Sequence, residues 1–440
     1  MNADLSRFEC GWNASPAVRG KTACTASIAA AECAYARNPA FTAINLAAAC
    51  VENFLMRVNV NGAACWPLLI GLASASAMAD AVTLEELATP TGSPVSGVSN
   101  IAANGTVVGS TWPAGQVARW RPGAEPENLG GDTFTLENIL PLISGDGTTI
   151  AAASYFYSDD PEAPPIAAPA IWQGGTIWTA VSGLTLRETT PYGISDNGRF
   201  LVGAAVPVVP PADGPWPKLA WIWSSAMGQQ QLDTPNTSFD AQAWAVSDDG
   251  TIAAGFGNAG PGTRLRFGVR WVGTTANFIT DSASARVGQA ISCNQDCSII
   301  VGAGFDPLSG AGSPQAWRWT QAGGVQYLGT VAGAIDATYY AFDLSEDGSL
   351  IVGSYSLIDP QRGPVTRGFI WSEQGGIREM SAFLATHGID YGSGFGSLIV
   401  NSMTPDGRKL LINGQDENYA RRRAIVHIDT DSIFSNGFDP

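Results

Sequence analysis

The sequence predicts an all-β protein: a seven-bladed β-propeller of four-stranded antiparallel blades, its ring closed by an N-terminal strand. Three observations predict it. A turn motif of the form Ser-x-Asp/Asn-Gly, with variants, is written seven times along the chain; a tryptophan follows at near-constant spacing; and the composition favours turns, with 51 Gly and 27 Pro among 440 residues and only 14% charged. Such a composition points to many short strands rather than helices. A four-stranded unit recurring about every 50 residues is the signature of a propeller blade.

The first element of each unit is a strand, the turn, and an apolar strand ending in Gly. It reads "NIAANGTVVG" (100–109), "LISGDGTTIAA" (142–152), "GISDNGRFLVG" (193–203), "AVSDDGTIAAG" (245–255), "AISCNQDCSIIVG" (290–302), "DLSEDGSLIVG" (343–353) and "SMTPDGRKLLING" (402–414). Asp-Gly and Asn-Gly suit type I′ hairpins, in which both central residues take positive φ. The second element ends in Trp120, Trp172, Trp223, Trp271, Trp319 and Trp371, with His427 in the seventh place, at intervals of 52, 51, 48, 48, 52 and 56. Strict periodicity makes these tryptophans blade-to-blade core, and His427 is expected to pack beside the last blade. The third element is a Gly-rich turn and a fourth strand, as in "GGVQYLGT" (323–330) and "GGIREMSA" (375–382). The last unit lacks its fourth strand. "VTLEELAT" (82–89) resembles one and is expected to complete that blade, leaving no open edge.

Ahead of the repeats, residues 56–79 carry the pattern of a secretory signal peptide: Met56-Arg57, an apolar run from Gly62 to Leu72, then Ala77-Met78-Ala79 before Asp80. That run is well short of the roughly 20 residues needed to cross a bilayer. Residues 1–55 precede this start and are read as a mis-called, unstructured extension; the propeller occupies 80–429 and a tail 430–440. A secreted, extracellular or periplasmic location follows, with no stable membrane insertion after cleavage. Export also changes the meaning of the 7 cysteines. Cys10, Cys24, Cys33, Cys50 and Cys65 fall before the cleavage point, leaving Cys293 and Cys297, which an oxidising compartment would pair. Their bracket reads as a hairpin tip two residues longer than its siblings, where the turn glycine is absent. Closing so short a loop contributes about 2 kcal/mol on the chain-entropy estimate.

"GISDNGRFLVG", "AWRWTQAGGVQYLG" and "GFIWSEQGGIREMSAFLATHGIDYGSG" resemble the HAF-type extracellular repeat proteins of bacteria. The resemblance covers about 90–429 and implies an exported, propeller-like protein, with a helical insertion over 380–392. It brings no catalytic residues with it, and the chain departs from the pattern at the cysteine bracket and at His427. The closing "DSIFSNGFDP" (431–440) is similar to tails on other exported Gram-negative proteins, which implies a sorting tag; a frayed terminus is the alternative.

The sequence assigns no catalytic residue, cofactor or metal. A formal charge of −16 repels phosphate backbones, which argues against a nucleic-acid partner. No G-x-S-x-G elbow occurs, and the mature chain has two histidines, His387 and His427. Calcium in the Asp-Gly turns would need acids upstream, where Gly193 and Ala245 stand and only Asp343 is acidic. The variable loops between second and third strands remain. They hold aromatics out of repeat register (Trp112, Tyr155, Phe156, Tyr157, Trp216 and Tyr355) beside Asp159, Asp160 and Glu162. Loops held on a rigid scaffold are where recognition tends to sit. The expected function is a non-enzymatic binding or interaction propeller using that loop face. Its partner would be a carbohydrate, a cell-envelope component or another surface protein. A glycosidase or lyase with paired carboxylates in the central funnel, or a structural surface protein, are the alternatives.

Overall fold

The computed structural model describes residues 82–429, apart from 90–94, 112–115, 131–140, 157–165, 175–177, 210–215, 236–238, 259–264, 306–313 and 360–362. The expectations for residues 1–55, the signal peptide and the tail lie outside the described residues. The chain divides into two units, Met1–Ala79 and Asp80–Pro440, and every described residue belongs to the second.

After β1 (Val82–Glu86), the strands follow as antiparallel meanders, each built outward from an inner strand. The first is β2 (Val95–Ile101), β3 (Val107–Thr111), β4 (Val117–Trp120) and β5 (Glu127–Asn128). Next come β6 (Leu142–Ile143), β7 (Ile150–Phe156), β8 (Ile166–Trp172) and β9 (Thr179–Ala180), then β10 (Arg187–Ile194), β11 (Phe200–Val206), β12 (Leu219–Ser224) and β13 (Gly228–Gln231). They are followed by β14 (Ala241–Val246), β15 (Ile252–Asn258), β16 (Arg266–Val272) and β17 (Thr275–Phe278), and by β18 (Ala290–Cys293), β19 (Ile299–Gly302), β20 (Trp317–Thr320) and β21 (Gly324–Tyr327). These make five four-stranded sheets. The remaining strands, β22 (Thr338–Leu344), β23 (Leu350–Asp359), β24 (Gly363–Ser372), β25 (Gly376–Glu379), β26 (Ser397–Met403), β27 (Lys409–Gln415) and β28 (Arg421–Ile428), join β1 in one eight-stranded sheet. That sheet is two meanders linked by a single parallel pair, Thr366 with Ser397. β1 pairs antiparallel with β28 over five residues, as the sequence predicts for the missing fourth strand.

Each sheet contacts the next in chain order, and β2 contacts β26, β27 and β28. The repeat tryptophans sit between them. Trp120, Trp172, Trp223, Trp271 and Trp371 are buried and Trp319 half-buried. Burying roughly 200 Å² of indole is worth on the order of 5 kcal/mol before entropy is charged. In three of these tryptophans the indole N–H also donates to a carbonyl just past the outermost strand of the preceding sheet. Trp223 donates to Ser182 O at 2.8 Å and Trp271 to Asp233 O at 2.8 Å; Trp120 donates to Ala88 O, just past β1, at 2.7 Å. β1 therefore serves Trp120 as β9 serves Trp223. Neighbouring third strands are joined by arginine: Arg119 lies 4.3 Å over Trp172, and Arg270 and Arg318 lie 5.3 Å over Trp319 and Trp371.

The Ser-x-Asp-Gly turns depart from type I′. Only the glycine takes positive φ, +74° at Gly147 and +70° at Gly250, while the residue before it does not. The cause is the aspartate side chain. Asp146 Oδ1 accepts from Ser144 Oγ at 2.6 Å and from Thr148 N at 2.9 Å, and Asp249 repeats this with Ser247 and Thr251. A carboxylate bonded two residues onward fixes an ordinary turn, and only the following residue needs the left-handed region.

The cysteine turn corrects a second expectation. Asn294 N donates to Ile299 O and Cys297 N to Asn294 O, just as Ser345 N donates to Leu350 O and Gly348 N to Ser345 O. The bracket is therefore no longer than its siblings: Asn294 takes the serine's place, and Cys297 stands at the glycine's with φ +50°. Cys293 and Cys297 form a disulfide with Cα atoms 4.9 Å apart. His427 is also not packed as the tryptophans are. Its Nε2 lies 3.1 Å from Glu85 Oε2 on β1, and its side chain is 36% exposed. The insertion contains the helix α1 (Met380–Thr386), whose Met380, Phe383 and Leu384 join the core of the eight-stranded sheet.

Candidate functional site

The inner strands carry a shared irregularity that aims side chains inward. In β10 the ladder passes from Pro191 to Gly193, skipping Tyr192. The same step skips Ser99 in β2, Trp244 in β14, Ile291 in β18, Phe342 in β22 and Asn401 in β26. Each skipped residue lies three before the first residue of the turn motif. A bulge leaves one residue unpaired and re-aims its side chain. All six line a single cavity of about 770 Å³, to which β2, β6, β10, β14, β18, β22 and β26 each contribute.

The bulge explains the Val-Gly ending of the motif. A Cβ on Gly203 would come within 1.9 Å of Thr190 O, and one on Gly255 within 2.0 Å of Gln242 O. In five of the six bulges the inner strand presses its carbonyl onto such a glycine, where no side chain fits; β26 instead sets Val400 opposite Ile412. The aimed position is thus built by fixed residues around it, while its own chemistry varies from repeat to repeat.

The cavity changes character along its length. At the loop side, where third strands begin, Lys218 and Arg266 line it beside Gln242. At mid-depth Tyr192 stacks on Trp244, ring centroids 5.8 Å apart, with Phe342 and Asn401 also in the wall. Asn401 Oδ1 is buried and has no hydrogen-bond partner among the described residues. At the turn side stand Asp196 and Glu346, with Asp248 nearby. Burial pushes the Asp196 carboxyl up to about 7, reinforced by the charges of Asp248, Asp343, Glu346 and Asp146. Burial raises Glu346 as well.

These acids differ in what already holds them. Asp248 Oδ1 accepts from Asn197 N and Oδ2 from Gln295 Nε2, and Glu346 Oε2 accepts from Gln295 N. Asp343 bridges three inner strands, accepting from Ser292 Oγ at 3.2 Å, Leu344 N at 2.9 Å, Ser402 Oγ at 2.8 Å and Met403 N at 2.9 Å. Burial raises its pKa against the pull of those bonds. Among the described residues no donor reaches the Asp196 carboxylate. No group of three His, Cys, Asp or Glu among them is arranged to hold a metal ion.

The predicted loop residues are only partly brought together. Trp112, Tyr157, Asp159, Asp160 and Glu162 lie outside the described residues. Tyr155 and Phe156 belong to β7 rather than to a loop. Tyr355 is a strand residue too, and a correction: it is 2% exposed, stacks on Tyr339 at 5.1 Å and donates to Glu379 Oε2 at 2.8 Å. Hairpin β23–β24 runs ten residues a side, which takes Tyr355 into the sheet. Trp216 is 41% exposed, two residues before Lys218 at the cavity. Sequence reasoning missed the bulge ring. Its signal was a position at fixed offset from the turn whose residue type changes at each repeat.

Among the described residues no helix is long and apolar enough to cross a membrane. No protein-family model and no curated protein matches the sequence. Solved structures offer distant likenesses. TolB from Acinetobacter baumannii is 13% identical with a TM-score of 0.36; the match covers 75% of this chain and 62% of TolB. The β-propeller domain of the Trilobed protease from Pyrococcus furiosus is 11% identical at 0.47, covering 76% of this chain and 95% of that domain. An inactive virginiamycin B lyase from Staphylococcus aureus, solved with quinupristin, is 11% identical at 0.46, covering 79% and 99%. All three scores fall below 0.5, and the all-β assignment rests on the sheets themselves.

Proposed function

We propose that the meanders are seven blades of a closed propeller, exported from the cell, whose task is binding and whose ligand enters the axial cavity from the variable-loop side. The observation that carries the reading is the bulge ring, a repeated backbone device that delivers chemically varied side chains to one cavity. Closure is supported by the pairing of β1 with β28, by the contacts of β2 with β26 to β28, and by the Trp120 bond to Ala88. A cavity of about 770 Å³ with an aromatic pair in its wall and polar groups toward both ends suits a small ligand. Trp216, exposed near Lys218, would extend that surface onto the loop face.

The test is a screen of the full chain against glycan, peptidoglycan and small-molecule panels, with Trp244→Ala beside it. Binding is expected from the wild type and lost in the variant at unchanged melting temperature. A ligand held equally by the variant sinks the cavity as its site. One observation favours a second reading. Asp196, raised to about 7 beside other carboxyl groups, resembles a general acid with a partner base, as a polysaccharide-cleaving enzyme would need. The hydrogen bonds already engaging Asp248 and Glu346 weigh against it, and polysaccharide turnover abolished by Asp196→Asn would establish it.

A further inference from the structure

The cavity's stacked aromatic pair, its two lining cations and its donor-free carboxylate share one sector. β10 and its neighbour β14 supply Tyr192 and Trp244, the turn after β10 supplies Asp196, and Lys218 and Arg266 come from the third-strand side of the same two sheets. The order from the loop side inward is cation, aromatic pair, then a carboxylate without a donor. A ligand matching that order carries a negative group at its outer end, a body that lies against ring faces, and a positive group at its inner end. An ammonium ion answers a bare carboxylate among like charges, and it crosses the faces of Tyr192 and Trp244 favourably on the way. A carboxylate answers Arg266, whose Nη1 donates to Gln289 Oε1 at 3.0 Å and whose other nitrogens meet no acceptor among the described residues. Asp240 lies near this mouth, but its oxygens already accept from Lys218 N and Asn258 Nδ2.

The distance sets the length. Thr190 to Asp196 is six residue steps, the last two in the turn beyond β10, and spans at most roughly 20 Å at ~3.3 Å each. An extended chain of up to five or six residues covers that span. A ligand amide N–H would also satisfy Asn401 Oδ1, which is buried in the wall without a partner among the described residues.

We propose that the axial cavity takes a short extended peptide with both ends free, its amino end toward Asp196 and its carboxyl end toward Lys218 and Arg266. This rests on the cavity being the binding site and adds the chemical class. The test offers the full chain three random pentapeptide libraries (both ends free, N-acetylated, C-amidated) in equilibrium dialysis read by mass spectrometry. The free library is expected to be enriched at least tenfold over either capped one. Asp196→Asn should remove discrimination against acetylation only, and a Lys218→Gln/Arg266→Gln variant discrimination against amidation only. Equal retention of the three libraries, or retention of none, overturns the proposal. If none is retained while a glycan or small molecule still binds in a Trp244-dependent way, the peptide assignment fails and the cavity stands. If no class of ligand binds, both fail.

Discussion

Asp196 shows how much one residue's chemistry depends on neighbours that the sequence keeps far apart. In the chain it is the variable residue of an ordinary turn; in the fold it meets Asp146, Asp248, Asp343 and Glu346 from other repeats. Nothing in the local motif distinguishes it from Asp248, and only the closing together of inner strands raises its pKa to about 7. The sign of the consequence is fixed. A carboxyl whose pKa is higher folded than unfolded stabilises the fold fully below pH ~4, and that contribution fades as pH rises to about 7, a loss on the order of 2–4 kcal/mol. Asp196→Asn is therefore expected to melt several degrees higher than wild type at pH 8 and nearly together with it at pH 4.5. Scanning calorimetry at the two pH values checks this, and a wild-type advantage at pH 8 would refute it. The turn acids shift the other way. In Asp249 and Asp296, hydrogen bonds within the turn lower the pKa, so their contribution is lost only as pH falls below the usual carboxylate range.

At the scale of the element, the hairpins were legible in outline and misread in detail. The turn's position, its glycine and the strands either side follow from composition and spacing. The turn type did not, because it is decided by where the aspartate side chain bonds. The cysteine turn was misaligned because Asn294 does the serine's work with a different side chain, its Oδ1 accepting from Ile299 N at 2.9 Å. Cys297 holds a glycine's backbone conformation, at a cost of about 1 kcal/mol relative to glycine. Cys297→Gly and Cys297→Ala both abolish the disulfide, but only alanine keeps the strained φ. Urea unfolding should find the alanine variant less stable by about 1 kcal/mol, and equal midpoints would show that the turn relaxes. The bulge was hidden for a related reason: period-2 alternation predicts a strand's faces but not a skipped rung, and the glycines that permit it read as simple strand ends.

For the whole molecule, the four-stranded antiparallel sheets and the pairing of β1 with the last strand could be read from the chain, because both depend only on periodic motifs. The cavity could not, since its lining is scattered from Ser99 to Pro405 and meets only when the sheets are brought together. β1 joins the two ends of the array. It pairs with β28, places Glu86 against Arg422 and Glu85 against His427, and supplies the acceptor for Trp120. Deleting residues 80–89 should bare the β28 edge and release that indole, giving oligomers in size-exclusion chromatography at micromolar concentration. A monomer with unchanged melting temperature would show β1 to be dispensable.

The turns themselves are laced together from sheet to sheet. Ala103 N donates to Gly145 O, Asp146 N to Asp196 O, Asn197 N to Asp248 Oδ1, Asp248 N to Gln295 O, Gln295 N to Glu346 Oε2, and Glu346 N to Pro405 O. Every main-chain donation in this series runs forward along the chain, and at Pro405 the series stops, since proline has no amide hydrogen to pass on. The main-chain lacing therefore has a direction and, in the closed propeller proposed above, a seam between the last repeat and the first, where β1 also acts. Under heat or mechanical load the molecule should part there first, like a clasped bracelet, with the other junctions holding until the clasp has gone.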